Sequence, residues 1–177
     1  MKRTFTILGI VLVVLVIGYF GLRMYTKSAS PEAIANYQKN DLKIEVNYCQ
    51  PSKKGRVIFG ELEPYGKVWR TGANEATEIS FNKAVQFGGK SLQAGKYTLF
   101  TIPQKDEWTL ILNSQLDQWG AFEYDETKDI LRVQAPADST AEVTEMFTID
   151  FKEADNKVVH MRLIWDQTKV EVPINIP

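Results

Sequence analysis

The stretch DLKIEVNY, residues 41–48, decides the fold class because apolar and polar side chains alternate in it. Every second residue from Leu42 to Tyr48 is apolar, and lysine, glutamate and asparagine lie between them. A period of two residues is typical of a β-strand with one buried face and one solvated face. We therefore expect a strand here, at the start of a folded domain over residues 41–177.

The same pattern recurs along the rest of the chain. Six further stretches carry it, namely KYTLFTI, EWTLILN, DILRVQ, MFTIDF, VVHMRLIW and TKVEVPI. They are rich in β-branched and aromatic residues, which fit a pleated, half-buried surface. The best helical candidate, QLDQWGAFEYDET, is interrupted by Gly120. Many short strands at close spacing predict an all-β fold, either an antiparallel β-sandwich or a jelly-roll-like domain.

The N-terminal segment has a different character. Phe5 to Leu22 is an uncharged apolar run preceded by Lys2 and Arg3. Its length, about 18 residues, is at the short end of what crosses a bilayer, and it exceeds the apolar core of a signal peptide, roughly 7–15 residues. Pro31 follows the nearest small residues and makes a poor cleavage junction. We predict a retained transmembrane signal anchor over residues 1–27.

The flanking charges give a weak orientation signal. Two basic residues precede the apolar run, and Arg23 and Lys27 follow it. Since long domains cross largely regardless of flanking charge, we expect a single-pass protein of the inner (cytoplasmic) membrane with its C-terminal domain outside the cytoplasm. Secretion after cleavage is the alternative. Residues 28–40 are polar and are predicted to form a linker.

Composition excludes several function classes. The net charge is −1, so there is no basic field to bind nucleic acid. His160 and Cys49 are the only residues of their types, which rules out a zinc site with several such ligands and an internal disulfide. The sequence has no G-x-S-x-G elbow and no Gly-rich phosphate loop. A calcium site built from carboxylates stays open, but we predict no metal ion and no cofactor.

The stretch YGKVWRTGANEA, residues 65–76, is the main candidate site. Arg70 offers a planar fork for a carboxylate or phosphate, and aromatic rings offer flat faces for a sugar or an aliphatic group. The structural alternative is an elaborate turn held by an Arg70–Glu75 pair. With a second cluster over residues 118–133, the candidate ligand-binding residues are Tyr65, Trp69, Arg70, Thr71, Asn74, Glu75 and Trp119.

Several of these stretches together resemble a bacterial family of unknown function, DUF2911. They are PSKKGRVIFGELEPYGKVWRTGANEAT, GKSLQAGKYTLFTIP, EWTLILN and WGAFEY. The resemblance covers about residues 42–165 and implies an exported all-β domain, often behind a signal peptide or anchor, with no established activity. The chain departs from the family pattern at Cys49 and Gln50, where Ser-Arg is usual. If that arginine binds a shared ligand, the departure affects the site.

Three functional hypotheses follow. The first is a membrane-anchored domain that binds a small polar ligand or a cell-envelope component. The second is a hydrolase acting on an envelope polymer, with Glu75 and either Asp125 or Glu61 as paired carboxylates. The third is a structural or assembly domain without a small-molecule ligand. We favour binding over catalysis because acidic pairs are common on solvated strand faces, and the sequence does not indicate an oligomeric state.

Overall fold

The computed structural model describes residues 2–155 and 157–175. In these residues a single α-helix, α1 (Lys2–Ala29), precedes nine strands and one short 3-10 turn (Glu126–Lys128). The strands are β1 (Glu32–Lys39), β2 (Leu42–Cys49), β3 (Thr77–Phe81), β4 (Val85–Phe87), β5 (Lys90–Leu92), β6 (Gly95–Ile102), β7 (Glu107–Asn113), β8 (Asp129–Glu153) and β9 (Val158–Asn175).

Helix α1 packs little of its apolar surface against the β-domain. Leu15, Ile17 and Leu22 are each more than 60% exposed, which is unfavourable for so many large apolar side chains in water. The stretch Gly9–Ala29 is long and apolar enough to cross a membrane, and a signal sequence near an N-terminus has the same properties.

The all-β prediction is confirmed. Every strand pairing is antiparallel, in the order β1-β2-β3-β6-β7-β8-β9-β4-β5. Strand β8 joins two parts of the ladder, because residues 129–136 pair with β7 and residues 137–153 pair with β9. The four stretches DILRVQ, MFTIDF, VVHMRLIW and TKVEVPI therefore belong to only two long strands.

One main core lies between the two parts. Inward residues of β2, β3, β6 and β7 meet inward residues of β9, such as Met161 and Trp165, in a single apolar cluster. A second, smaller cluster lies on the outer face of β6 and β7, where Phe100 and Ile111 are covered by Ala121 and Tyr124. The segment from residue 114 to residue 125 is thus held against the sheet, although it contains no regular strand or α-helix.

The structure corrects the sequence expectation for residues 28–40. The predicted linker over residues 28–40 contains the end of α1 and the whole of β1, which pairs with β2 from Glu32 opposite Cys49 to Lys39 opposite Leu42. One inward residue of β1 is the small Ala35, and the larger Ile34 points outward at 60% exposure. The sequence of β1 therefore does not alternate between apolar inward and polar outward residues. The helical candidate QLDQWGAFEYDET forms turns instead, with Gly120 at a φ of 74°.

Candidate ligand-binding cleft

Trp69 and Thr71, in the middle of the 65–76 turn, belong to the core. The Trp69 backbone exchanges two hydrogen bonds with Thr101, at 2.7 and 2.9 Å. Its side chain is 2% exposed and stacks on Trp165 at 5.9 Å between ring centroids, and its Nε1 donates to the Gly72 carbonyl at 3.0 Å. Thr71 is fully buried and donates from Oγ1 to Thr101 Oγ1 at 3.1 Å. The core therefore encloses both side chains, which fits a structural role for these two candidates.

Arg70 lies between the core and the surface, away from Glu75. Its Nε is buried without a hydrogen-bond partner, and among the described residues it forms no ion pair with Glu75. The nearby Glu63 has its pKa raised to about 7 by burial, while the positive charges of Arg70 and Arg56 act in the opposite direction. Tyr65 is 43% exposed and covers Gly60. The Arg70–Glu75 pair of the structural alternative is therefore not formed.

The second half of the turn faces the end of α1. Asn74 Nδ2 donates to the carbonyls of Thr26 and Ser30, each at 3.4 Å. Glu75 Oε1 accepts from Arg23 at 3.0 Å and lies 3.1 Å from Lys27 Nζ. These contacts therefore hold the C-terminal end of α1 against the β-domain.

Trp119 is brought to the same place by backbone pairing. The Ala76 N–H donates to the Gln118 carbonyl at 2.9 Å, and the Gly120 N–H donates to the Asn74 carbonyl at 3.0 Å. Unlike Trp69, Trp119 is 46% exposed. Of the seven predicted ligand-binding residues, Asn74, Glu75 and Trp119 come together beside α1.

A cleft of about 550 Å³ opens beside Glu75, on the outer face of β1, β2 and β3. The strand register explains its floor, because Ile34 lies opposite Asn47, and Asn47 lies opposite Glu78. Helix α1 and the loop after β7 form its walls. The polar and charged side chains that line it are Arg23, Glu32, Asn47, Tyr48, Cys49, Glu75, Glu78, Asp117 and Gln118.

The cleft is lined mainly by acidic side chains, and lysine side chains form ion pairs with them. Glu78 pairs with Lys96 and accepts from the Asp117 N–H at 3.0 Å, and Glu32 pairs with Lys27. Burial acts to raise the pKa of Glu75, but hydrogen bonds from its own backbone, Arg23 and Lys27 outweigh it and hold that pKa below its usual value. Glu75 is therefore ionised at neutral pH.

Gln118 carries an unsatisfied acceptor at the cleft wall. The residue is 4% exposed, and its Nε2 donates to the Gln115 carbonyl at 2.9 Å, which sets the orientation of the amide. The opposite atom, Oε1, is buried and has no hydrogen-bond partner. Leaving a buried acceptor unpaired costs about 1–3 kcal/mol, so an N–H or O–H donor placed against this atom would be stabilising.

Cys49 also lines the cleft, but it is not an activated nucleophile. Its side chain is 3% exposed, with Sγ 3.9 Å from Glu75 Oε2. Burial raises the pKa of the thiol, and a side-chain hydrogen bond with Asn74 only partly opposes this. Among the described residues, no group of three or more His, Cys, Asp and Glu side chains is arranged to hold a metal ion.

Asp125 lies outside the cleft. Its carboxylate accepts from the Thr127 N–H at 2.9 Å and from Thr127 Oγ1 at 2.7 Å, and these bonds lower its pKa. It therefore caps the 3-10 turn at Glu126–Lys128. Glu61 is exposed and does not line the cleft either. Neither proposed carboxylate partner shares the site of Glu75.

The family comparison matches residues 30–174, from just before β1 into the end of β9, to a model described as a protein of unknown function, DUF2911. The chain belongs to the DUF2911 family. The match covers the whole β-domain, including β1, so the DUF2911 domain begins before the residue-41 boundary expected from sequence. Searches of curated proteins and of solved structures find no match.

Sequence reasoning missed most of the cleft. Glu32, Asn47, Cys49 and Glu78 were not named as ligand-binding candidates, because outward strand residues resemble any solvated face. The alternation in β2 did place Asn47 on the face opposite the core, which is the signal that was present. Gln118 carried no such signal, because its burial depends on how the loop after β7 packs.

Proposed function

We propose that this DUF2911 protein is a membrane-anchored, extracytoplasmic domain that binds a small polar ligand or a cell-envelope component in the acidic cleft. The observation that carries the proposal is the buried, unpaired Oε1 of Gln118 at the wall of a cleft lined by four carboxylates. Helix α1, which is apolar enough to cross a membrane, supports the anchor.

The charge of the cleft determines the ligand class. The four carboxylates that line it belong to Glu32, Glu75, Glu78 and Asp117, whereas Arg23 is the only arginine or lysine among the described residues that lines it. Lys27 and Lys96, which do not line the cleft, pair with the first three of these carboxylates. A ligand with an ammonium group therefore fits better than the anion expected from Arg70, which does not line the cleft. Hydroxyl or amide donors on the same molecule would satisfy Gln118. Amino sugars and lysine-containing peptide fragments of the envelope have this chemistry.

Binding is better supported than hydrolysis. A general acid needs a pKa raised toward the working pH, and the pKa of Glu75 is held below its usual value. The structural hypothesis is supported only at Trp69 and Thr71 of the 65–76 turn, which are buried. We therefore propose binding rather than catalysis in the cleft.

The test is a thermal-shift comparison on the full chain in detergent. Glucosamine, N-acetylglucosamine and a lysine-containing stem peptide are the probes, because the first two differ in a cationic amine. At 100 times Kd a ligand stabilises the folded state by about 2.7 kcal/mol, which corresponds to a rise in Tm of roughly 5–11 °C for a domain of this size.

The variants separate the cleft from general charge effects. Gln118→Met and Glu78→Gln should lose the shift while remaining folded. Glu107→Gln, which removes an exposed carboxylate outside the cleft, should keep it. A shift that survives in Gln118→Met and Glu78→Gln places the ligand elsewhere. A shift with an organic acid and none with either cationic probe overturns the ligand class.

A further inference from the structure

We propose that the loop over residues 118–122 lies in the headgroup layer of the membrane that α1 enters, with Trp119 and Phe122 as its anchoring side chains. The inference goes beyond the ligand cleft, and it rests on the proposed retention of α1 as an anchor. It gives the domain a second membrane contact and a defined orientation on the bilayer.

The first observation is the exposure of two large aromatic residues on a single short loop. Trp119 is 46% exposed and Phe122 is 87% exposed, whereas Trp69, Trp108 and Trp165 are each no more than 2% exposed. Exposed apolar residues that form a contiguous patch mark interaction surfaces, and Trp119 and Phe122 are three positions apart on this loop. The environment of Trp119 therefore differs from that of the other three tryptophans.

Contacts on both sides of the loop hold it against the domain. The backbone of Trp119 pairs with that of Glu75 in an antiparallel arrangement. On its other side, Tyr124 packs on Phe100 at 5.0 Å between ring centroids, and its hydroxyl donates to Asp129 at 2.7 Å. Phe122 therefore points outward from a loop that is held by contacts on both sides.

The second observation is the level of the loop along α1. Trp119 lines a groove of about 260 Å³ together with Tyr19, Leu22, Arg23 and Thr26. Leu22 is the last residue of the uncharged run and Arg23 carries the first charge after it. With a rise of about 1.5 Å per residue, Trp119 lies within roughly 6 Å of the level at which the apolar run ends.

The chemistry at that level matches a bilayer interface. Tryptophan and tyrosine concentrate where a transmembrane helix leaves the hydrocarbon, because their rings are partly apolar and partly polar. The Arg23 guanidinium lies 5.9 Å from the centre of the Trp119 ring, and long basic side chains extend toward lipid headgroups. Because the surface adjoins the apolar part of α1, lipid is the occupant that fits it.

The orientation has a consequence for the cleft. Arg23 lines both the groove beside Trp119 and the acidic cleft. If α1 and the loop both contact the bilayer, the cleft lies next to the membrane surface. A ligand would then be taken from, or held at, the headgroup layer.

Quenching by brominated lipids tests this on the full chain reconstituted in phosphatidylcholine vesicles. Trp119 is one of four tryptophans and the only exposed one, so lipid bromines near the headgroups should quench emission that Trp119→Phe lacks. Bromines near the bilayer centre should quench it less. Phe122→Ser, which removes the other apolar contact, should reduce the quenching in the wild-type Trp119 background.

Two outcomes distinguish this inference from the proposed anchor. Vesicle flotation and the intact mass of the protein report whether α1 is present and inserted. Protein that floats with the vesicles, while its Trp119 emission is quenched by aqueous iodide and not by brominated lipid, overturns the loop contact and leaves the anchor standing. Intact protein that does not float refutes both.

Discussion

Replacing Trp69 with alanine should destabilise the domain severely, although its sequence context resembles a binding site. The ring is 2% exposed, stacks on Trp165 at 5.9 Å, and meets Phe59, Trp108 and Phe147 at 5.0–5.9 Å. Truncating a buried tryptophan to alanine costs about 3–5 kcal/mol through lost transfer energy and the remaining cavity. That loss is a large part of the 5–15 kcal/mol by which a typical domain is stable.

The measurement is urea unfolding of the full chain in detergent, followed by far-UV circular dichroism so that the loss of a fluorophore does not matter. In a thermal melt of a domain of this size, a loss of about 3–5 kcal/mol would lower Tm by roughly 6–20 °C. Trp119→Ala is the matched control and should change the stability by less than about 1 kcal/mol, because its side chain is 46% exposed. A Trp69→Ala variant as stable as Trp119→Ala would refute the assignment of Trp69 to the core.

Three further predictions concern the contacts around Cys49. Gly72→Ala should lower stability by about 1–3 kcal/mol in the same unfolding assay, because a Cβ at Gly72 would lie 2.9 Å from the Cys49 carbonyl oxygen. Glu75→Gln should be less stable than wild type at pH 6, and the gap should narrow below about pH 4.3, because a folded-state pKa below the unfolded value gives stability that is lost as pH falls through the folded pKa. The Cys49 thiol, buried and with a raised pKa, should react with a maleimide much more slowly in the folded protein than in urea, as measured by mass spectrometry.

The fold was predictable because its signal is local. The alternation from Leu42 to Tyr48 and the β-rich stretches after it depend only on which residues face the core, and they correspond to β2, β6, β7, β8 and β9. Strand β1 was missed because its inward positions include Ala33 and Ala35, which carry little apolar signal. The change of partner along β8, from β7 to β9, depends on long-range pairing, which periodicity does not contain.

The candidate site was only partly predictable because it is assembled from distant segments. Asn74, Glu75 and Trp119 are brought together beside α1, and their polar or aromatic character in loops was a usable signal. The partners of Glu75 come from residue 23 and residue 27 of the N-terminal helix. A sequence interval of about fifty residues gives no indication of such a contact. Arg70, which is close in sequence, was therefore the partner that the structural alternative gave to Glu75.

The polar richness of the 65–76 turn is explained by its position between two neighbours. Trp69 and Thr71 face the core, and Glu75 faces α1, with only three residues between Thr71 and Glu75. Positive φ angles of 58° at Thr71 and 57° at Asn74 let the chain change direction twice in that distance. A turn with two sets of contacts needs hydrogen-bonding groups at irregular spacing, as a binding site does. The surface at which we propose that a ligand binds is instead the acidic face of β1, β2 and β3 that the turn borders.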